Sequence, residues 1–268
     1  MSSLPPTAIS LSHITKSFTT KRGPLSVIRD LSLEVDSGAF LSLIGPSGCG
    51  KSTLFTILAG LTGPDSGRVT LNGSTITDHR DSAKHCAYMP QDDVLFPWRS
   101  VIDNAIIGLQ IQGVSRREAR ARAIELLPTF GLTDFAEAKP EHLSGGMRQR
   151  VSLLRTVLQG KKILLLDEPF AALDSLTRSD MQQWLSDVCR QLGVTVLLIT
   201  HDIREAVYLS NRVVALAPRP TSIVADIIFD DIKQGQPINL RARAKDPDVM
   251  AAEHRLFDLL HSTQPDLG

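Results

Sequence analysis

The run GPSGCGKS, from Gly45 to Ser52, constrains this chain more than any other stretch. It follows the apolar residues 39–44 and precedes TLFTIL at 53–58, so a strand leads in and a helix leads out. That is the setting a phosphate-binding loop requires. Glycines let successive backbone N–H groups turn inward around a polyphosphate. Lys51 reaches the β and γ phosphates, and Ser52 offers its hydroxyl to Mg²⁺. The expected nucleotide-binding residues are therefore Gly45, Pro46, Ser47, Gly48, Cys49, Gly50, Lys51, Ser52 and Thr53. Inward-facing amides, Lys51 and the helix start should favour a thiolate at Cys49, making it the fastest-reacting cysteine.

A phosphate loop needs a carboxylate beside its magnesium, at the end of a neighbouring apolar strand. ILLLDE at 163–168 supplies a pair. Asp167 is expected to orient Mg²⁺ through water, and Glu168 to polarise a water for in-line attack on the γ phosphate. His201 follows the apolar run 194–199 and precedes DIRE, a helix start of the D-x-x-E type. Its imidazole can contact the γ phosphate and hold the attacking water. LSGGM at 143–147 opens a helical run, with Ser144 as a cap flanked by Gly145 and Gly146. It reads either as a second anion-binding helix start or as a simple cap.

Apolar runs at 31–35, 39–44, 69–71, 87–89, 163–166, 194–199 and 213–216 predict a mostly parallel sheet covered on both faces, an α/β fold. Between 101 and 160 the strand signal gives way to helical patterns at 116–127 and 147–158. Asp246-Pro247-Asp248 opens an amphipathic helix with Val249, Ala252, Leu256, Leu259 and Leu260 on one stripe. Lys plus Arg equals Asp plus Glu at 29 each, so no basic field is present to attract nucleic acid. Three scattered cysteines fit a reducing cytoplasm, and the start MSSLPPTAIS has no basic-then-apolar leader. Leu95, Phe96 and Trp98 cluster in a Pro- and Asp-rich segment. They are either an exposed contact site or the closure of the core beneath the helical region.

Taken in order, GPSGCGKS, Gln91, LSGGM, ILLLDEP, AALD at 171–174 and His201 resemble the ATP-binding subunit of an ABC transporter, over about residues 9–230. The resemblance implies a P-loop NTPase core with a helical subdomain and a short antiparallel β portion. It implies a homodimer around two Mg·ATP, in which Ser144, Gly145, Gly146 and Asp174 contact the nucleotide held by the partner's phosphate loop. It further implies Gln91 as a ligand near Mg²⁺ and the attacking water, and Phe18 as the adenine-stacking aromatic. FPWR at 96–99, MRQR at 147–150 and APRP at 217–220 are most similar to the nitrate, sulfonate and taurine importer group. Expected partners are transmembrane permease subunits, contacted through Leu95, Phe96 and Trp98, and indirectly an extracytoplasmic solute-binding protein. The expected location is peripheral, on the cytoplasmic face of the inner membrane. Four segments are expected: catalytic core at 1–98, helical subdomain at 99–160, catalytic core again at 161–235, and a tail at 236–268. A soluble ABC ATPase uncoupled from transport, or a P-loop small-molecule kinase, are the alternative readings. A kinase would leave LSGGM and His201 unexplained.

Overall fold

The computed structural model describes residues 6–21, 23–171, 173–229 and 238–262. The segment boundary expected between 235 and 236 lies outside the described residues.

Apolar runs without polar interruption form strands when both faces are covered. Phe40–Ile44 (β3), Ile163–Asp167 (β7) and Thr195–Ile199 (β8) are buried at every position. With Cys86–Met89 (β6), Arg212–Leu216 (β9) and Ile223–Ile228 (β10) they make a six-stranded sheet of order β10-β9-β3-β8-β7-β6. Its neighbours pair in parallel except for the edge strand β10, which runs antiparallel to β9. A second, antiparallel sheet has the order β2-β1-β4-β5, from Thr7–Thr20 (β1), Gly23–Asp36 (β2), Ser66–Leu71 (β4) and Ser74–Thr75 (β5). This antiparallel portion is larger than expected, because β1 and β2 run 14 residues each. From Leu31 to Asp36 burial alternates strictly, as in a strand with one face wet.

The strands of the large sheet sort their side chains by parity. Leu164, Leu166, Val196 and Leu198 pack on the side of the helices Val101–Ala105 (α2), Arg116–Leu126 (α4), Gly145–Val157 (α5) and Ser175–Leu192 (α6). Leu41, Leu43, Leu165, Leu197 and Ile199 pack on the other side, against Lys51–Leu58 (α1) and the antiparallel sheet. A smaller cluster joins β9 and β10 to Ile203–Leu209 (α7) and Pro247–Ser262 (α9), through Val249, Ala252 and Leu256. Asp246 caps α9 by accepting the N–H groups of Asp248 (2.8 Å) and Val249 (3.4 Å). Helix α5 begins at Gly145, two residues earlier than the apolar pattern alone suggests, because Ser144 Oγ accepts the Met147 N–H at 3.3 Å. Among the described residues no helix is long and apolar enough to cross a membrane.

Candidate functional site

Strand β3 runs between β8 and β9 and ends at Ile44, so the loop 45–50 emerges at the carboxyl edge of a parallel sheet. Ligands of open α/β sheets bind at that edge. Gly50 takes the N-cap of α1 and offers no side chain to its free amides. Those amides face a cleft of about 430 Å³ lined by Phe18, Leu25, Val27, Ser47, Gly48, Gly50, Lys51, Ser52, Thr53, Glu168, Ile199, His201 and Arg219. Lys51 is buried, and its ammonium donates to the carbonyls of Gly45 (2.7 Å) and Pro46 (3.0 Å). Gly45 and Pro46 thus stand behind the cleft and position the lysine.

Cys49 corrects an expectation. Its side chain is 1% exposed and belongs to the apolar cluster under the loop, so its thiol is not offered to solvent. Cys86 and Cys189 are also buried, and burial pushes both thiols up to about 12. What Cys49 supplies to the loop is backbone and a buried sulfur that accepts from the Lys51 ammonium at 3.8 Å.

Asp167 ends the buried strand β7, and Glu168 follows in a left-handed backbone conformation (φ 47°) that residues other than glycine seldom adopt. Strain of this kind costs on the order of 1–3 kcal/mol and gathers where chemistry happens. The Glu168 N–H donates to the Ile199 carbonyl (2.9 Å), fixing the turn to the end of β8. His201 follows on the same edge. Glu168 Oε2 then lies 3.1 Å from His201 Nδ1 and accepts from Gln91 Nε2 at 3.4 Å. Two residues, from beyond the ends of β6 and β8, therefore converge on the carboxylate that follows β7. Asp167 sits beneath them, with Oδ2 accepting from the Tyr88 hydroxyl at 3.3 Å. Burial raises its carboxyl above the usual range, against hydrogen bonds from Tyr88 and Ser52 and the charge of Lys51. Burial, then Asp167, pushes the Tyr88 phenol up to about 12.

Ser144, Gly145 and Gly146 do not line this cleft. They lie beside AALD instead: a Cβ at Gly146 would stand 3.1 Å from Leu173 and 3.2 Å from Thr177. Asp174 caps α6 by accepting from Leu176 (3.2 Å) and Thr177 (3.1 Å), and the bond from Thr177 holds its carboxyl below the usual range. Phe18, half-exposed, flanks the cleft mouth.

The segment after Gln91 divides. Trp98 is 70% exposed and Phe96 38%, their rings 5.2 Å apart, whereas Leu95 packs against the core under the helical region. Leu95 is thus no part of a free surface. Asn104, fully buried, holds the exposed pair in place: its Oδ1 accepts the Phe96 N–H (2.8 Å), and its amide faces the carbonyls of Phe96, Arg99 and Ser100. Arg155 donates to the carbonyls of Val94 and Asp93 (both 2.8 Å), and Arg148 to the Asp93 carboxylate (2.9 Å), so this segment is tied to α5. Sequence reasoning missed Tyr88, Asn104, Leu25, Val27, Ile199 and Arg219 as parts of the site. The apolar run of β6, Cys86-Ala87-Tyr88-Met89, with one hydroxyl in it just before Gln91, was the available signal for Tyr88.

The family model described as ABC transporter matches residues 28–171. A taurine import ATP-binding protein of Rhizobium johnstonii is 38% identical over 258 residues, covering 96% of this chain and 97% of that protein. One from Pseudomonas aeruginosa is 40% identical over 261 residues, covering 96% and 95%. An uncharacterized ABC transporter ATP-binding protein of Bacillus subtilis is 39% identical, covering 79% of this chain and 80% of its own. Among solved structures, the dimeric post-hydrolysis state of an ATP-binding cassette bound to ADP and Pi superposes with a TM-score of 0.74 at 29% identity, over 82% of this chain and 98% of that one.

Proposed function

The chain belongs to the ABC transporter family, and from that premise we propose that it is the ATP-hydrolysing subunit of an importer, driving uptake of a taurine-like sulfonate or related small solute through separate membrane subunits. The observation that carries this reading is the convergence of Gln91 and His201 on Glu168 at the mouth of a cleft whose floor is the phosphate loop.

In this reading Lys51 and the loop amides hold the β and γ phosphates, and Phe18 stacks on the adenine. A hard-oxygen donor set of the Ser52 hydroxyl, the Asp167 carboxylate and the Gln91 amide fits Mg²⁺. The burial of Asp167 supports that fit, because a desolvated carboxylate gains most from a cation beside it. Mg²⁺ would neutralise charge on the phosphates. Glu168 acts as general base, accepting a proton from the attacking water, and His201 holds that base and contacts the γ phosphate.

Ser144, Gly145, Gly146 and Asp174 serve the nucleotide of a second copy, a reading supported by their absence from the lining of this chain's own cleft. Phe96 and Trp98 form the contact to the permease, on the cytoplasmic face of the membrane; their exposure supports this reading. A solute-binding protein outside delivers cargo. The segments 1–98, 99–160, 161–235 and 236–268 serve as core, helical subdomain, core and tail.

Glu168→Gln tests the reading. It should retain Mg·ATP binding, slow turnover by roughly 10² to 10⁴, and accumulate as an ATP-bound dimer on size exclusion. Near-normal hydrolysis by that variant would remove Glu168 from its role.

A further inference from the structure

Besides Lys51, the cleft is lined by a second side-chain cation, Arg219, which belongs to none of the phosphate-handling motifs. It is exposed at the tip of the β9–β10 connection, between Pro218 and Pro220. Prolines fix φ on either side and reduce the freedom of the tip.

The root of this connection is fastened to the phosphate loop. The Ala217 N–H donates to the Ser222 carbonyl (2.9 Å), and the Thr221 N–H donates to the Val27 carbonyl (2.9 Å). The buried Thr221 hydroxyl donates to Val27 (2.8 Å) and sits against the Cys49 carbonyl. Two glycines of the loop show how close the approach is. At Gly50 (φ 118°) a Cβ would lie 2.3 Å from Thr221 Oγ1, and at Gly48 (φ 73°) it would lie 3.3 Å from Arg219 Nη2. The guanidinium therefore lies over the backbone of the loop's fourth residue. Arg219 forms no ion pair with a carboxylate among the described residues. An unpaired guanidinium held beside inward-turned amides has the geometry and charge for a phosphate oxyanion, which it can bind through two parallel N–H bonds.

We propose that Arg219 is a further nucleotide-binding residue, contacting the polyphosphate of bound ATP from the solvent side while Lys51 contacts it from within the loop. The proposal rests on the nucleotide-binding reading above.

The test compares the unmodified chain with Arg219→Gln and Arg219→Lys, titrating Mg·ATP and Mg·GTP by fluorescence and melting each protein without nucleotide. One charge-assisted contact at a partly exposed site corresponds to roughly tenfold in affinity. Arg219→Gln should lose about that factor for both nucleotides equally, with the loss in KM and an unchanged melting temperature. Arg219→Lys, which keeps the charge without the fork, should recover part of the loss. An affinity of Arg219→Gln within twofold of the unmodified chain would overturn the assignment. So would a loss confined to ATP, which would place the arginine on the base, or a drop in the nucleotide-free melting temperature, which would make it a brace for the loop. If the unmodified chain itself binds no Mg·ATP, the nucleotide-binding reading fails and the arginine assignment with it.

Discussion

Replacing Glu205 by glutamine should stabilise the chain near neutral pH, contrary to the usual result for a buried, hydrogen-bonded side chain. Glu205 is 6% exposed on α7, four residues after His201. Its Oε2 accepts from the Thr200 hydroxyl at 2.8 Å, while Oε1 is buried without a partner among the described residues. Burial pushes its carboxyl from an ordinary 4.5 to about 8; the Thr200 hydrogen bond opposes this and the Asp202 charge adds to it. Between those two values the folded chain keeps a proton that the unfolded chain has released. Stability therefore falls as pH rises through that window, and is flat below and above it. At about 1.36 kcal/mol per pH unit, the loss reaches about 3 kcal/mol at pH 7 and more than 4 at pH 8. Glutamine mimics the protonated acid and does not titrate. Urea unfolding of both proteins from pH 5 to pH 8 should show the stability gap widening by roughly 3 kcal/mol in favour of the variant. Parallel profiles would refute the reasoning and show Glu205 ionised in the folded chain, paired with Arg178, whose Nε is likewise buried without a partner among the described residues.

Ser144→Arg should leave Mg·ATP binding to its own cleft within about twofold and abolish hydrolysis, because Ser144 does not line that cleft. Mixed with Lys51→Ala, it should regain activity above either parent, since a mixed dimer rebuilds one complete site; inactive mixtures with confirmed subunit exchange would count against sites shared between two chains. Trp98→Ala should not change the melting temperature of the free chain, its side chain being largely exposed, yet weaken assembly with the permease by about 2 kcal/mol or more, as for an aromatic interface anchor. A destabilised free chain with normal assembly would make Trp98 a packing residue.

The phosphate loop, the carboxylate pair and His201 were legible in the sequence because each is a short contiguous motif at the end of an apolar strand. Strands β3, β7 and β8 were legible for the same reason, being apolar throughout. Strand β1 was not. Register shifts between Leu11 and Ile14, and again up to Ser17, break the alternation that marks a half-buried strand. The convergence of Gln91 and His201 on Glu168 depends on strand order, and neither local propensity nor periodicity encodes which strands become neighbours. Leu95 and Trp98 look alike in composition. They separate only because Asn104 sets the backbone of the segment and turns one inward and the other out.

Thr221 and Cys49 are 172 residues apart, and β3 lies between β8 and β9, which are made in the last third of the described chain. During synthesis the phosphate loop leaves the ribosome early and has no back wall until the β9–β10 hairpin follows. Contacts of such long sequence separation form late and slowly. Nucleotide capture is thus a property of the nearly finished polypeptide, and a nascent or broken chain stopped short of residue 222 would carry the whole GPSGCGKS motif without the means to hold it in shape.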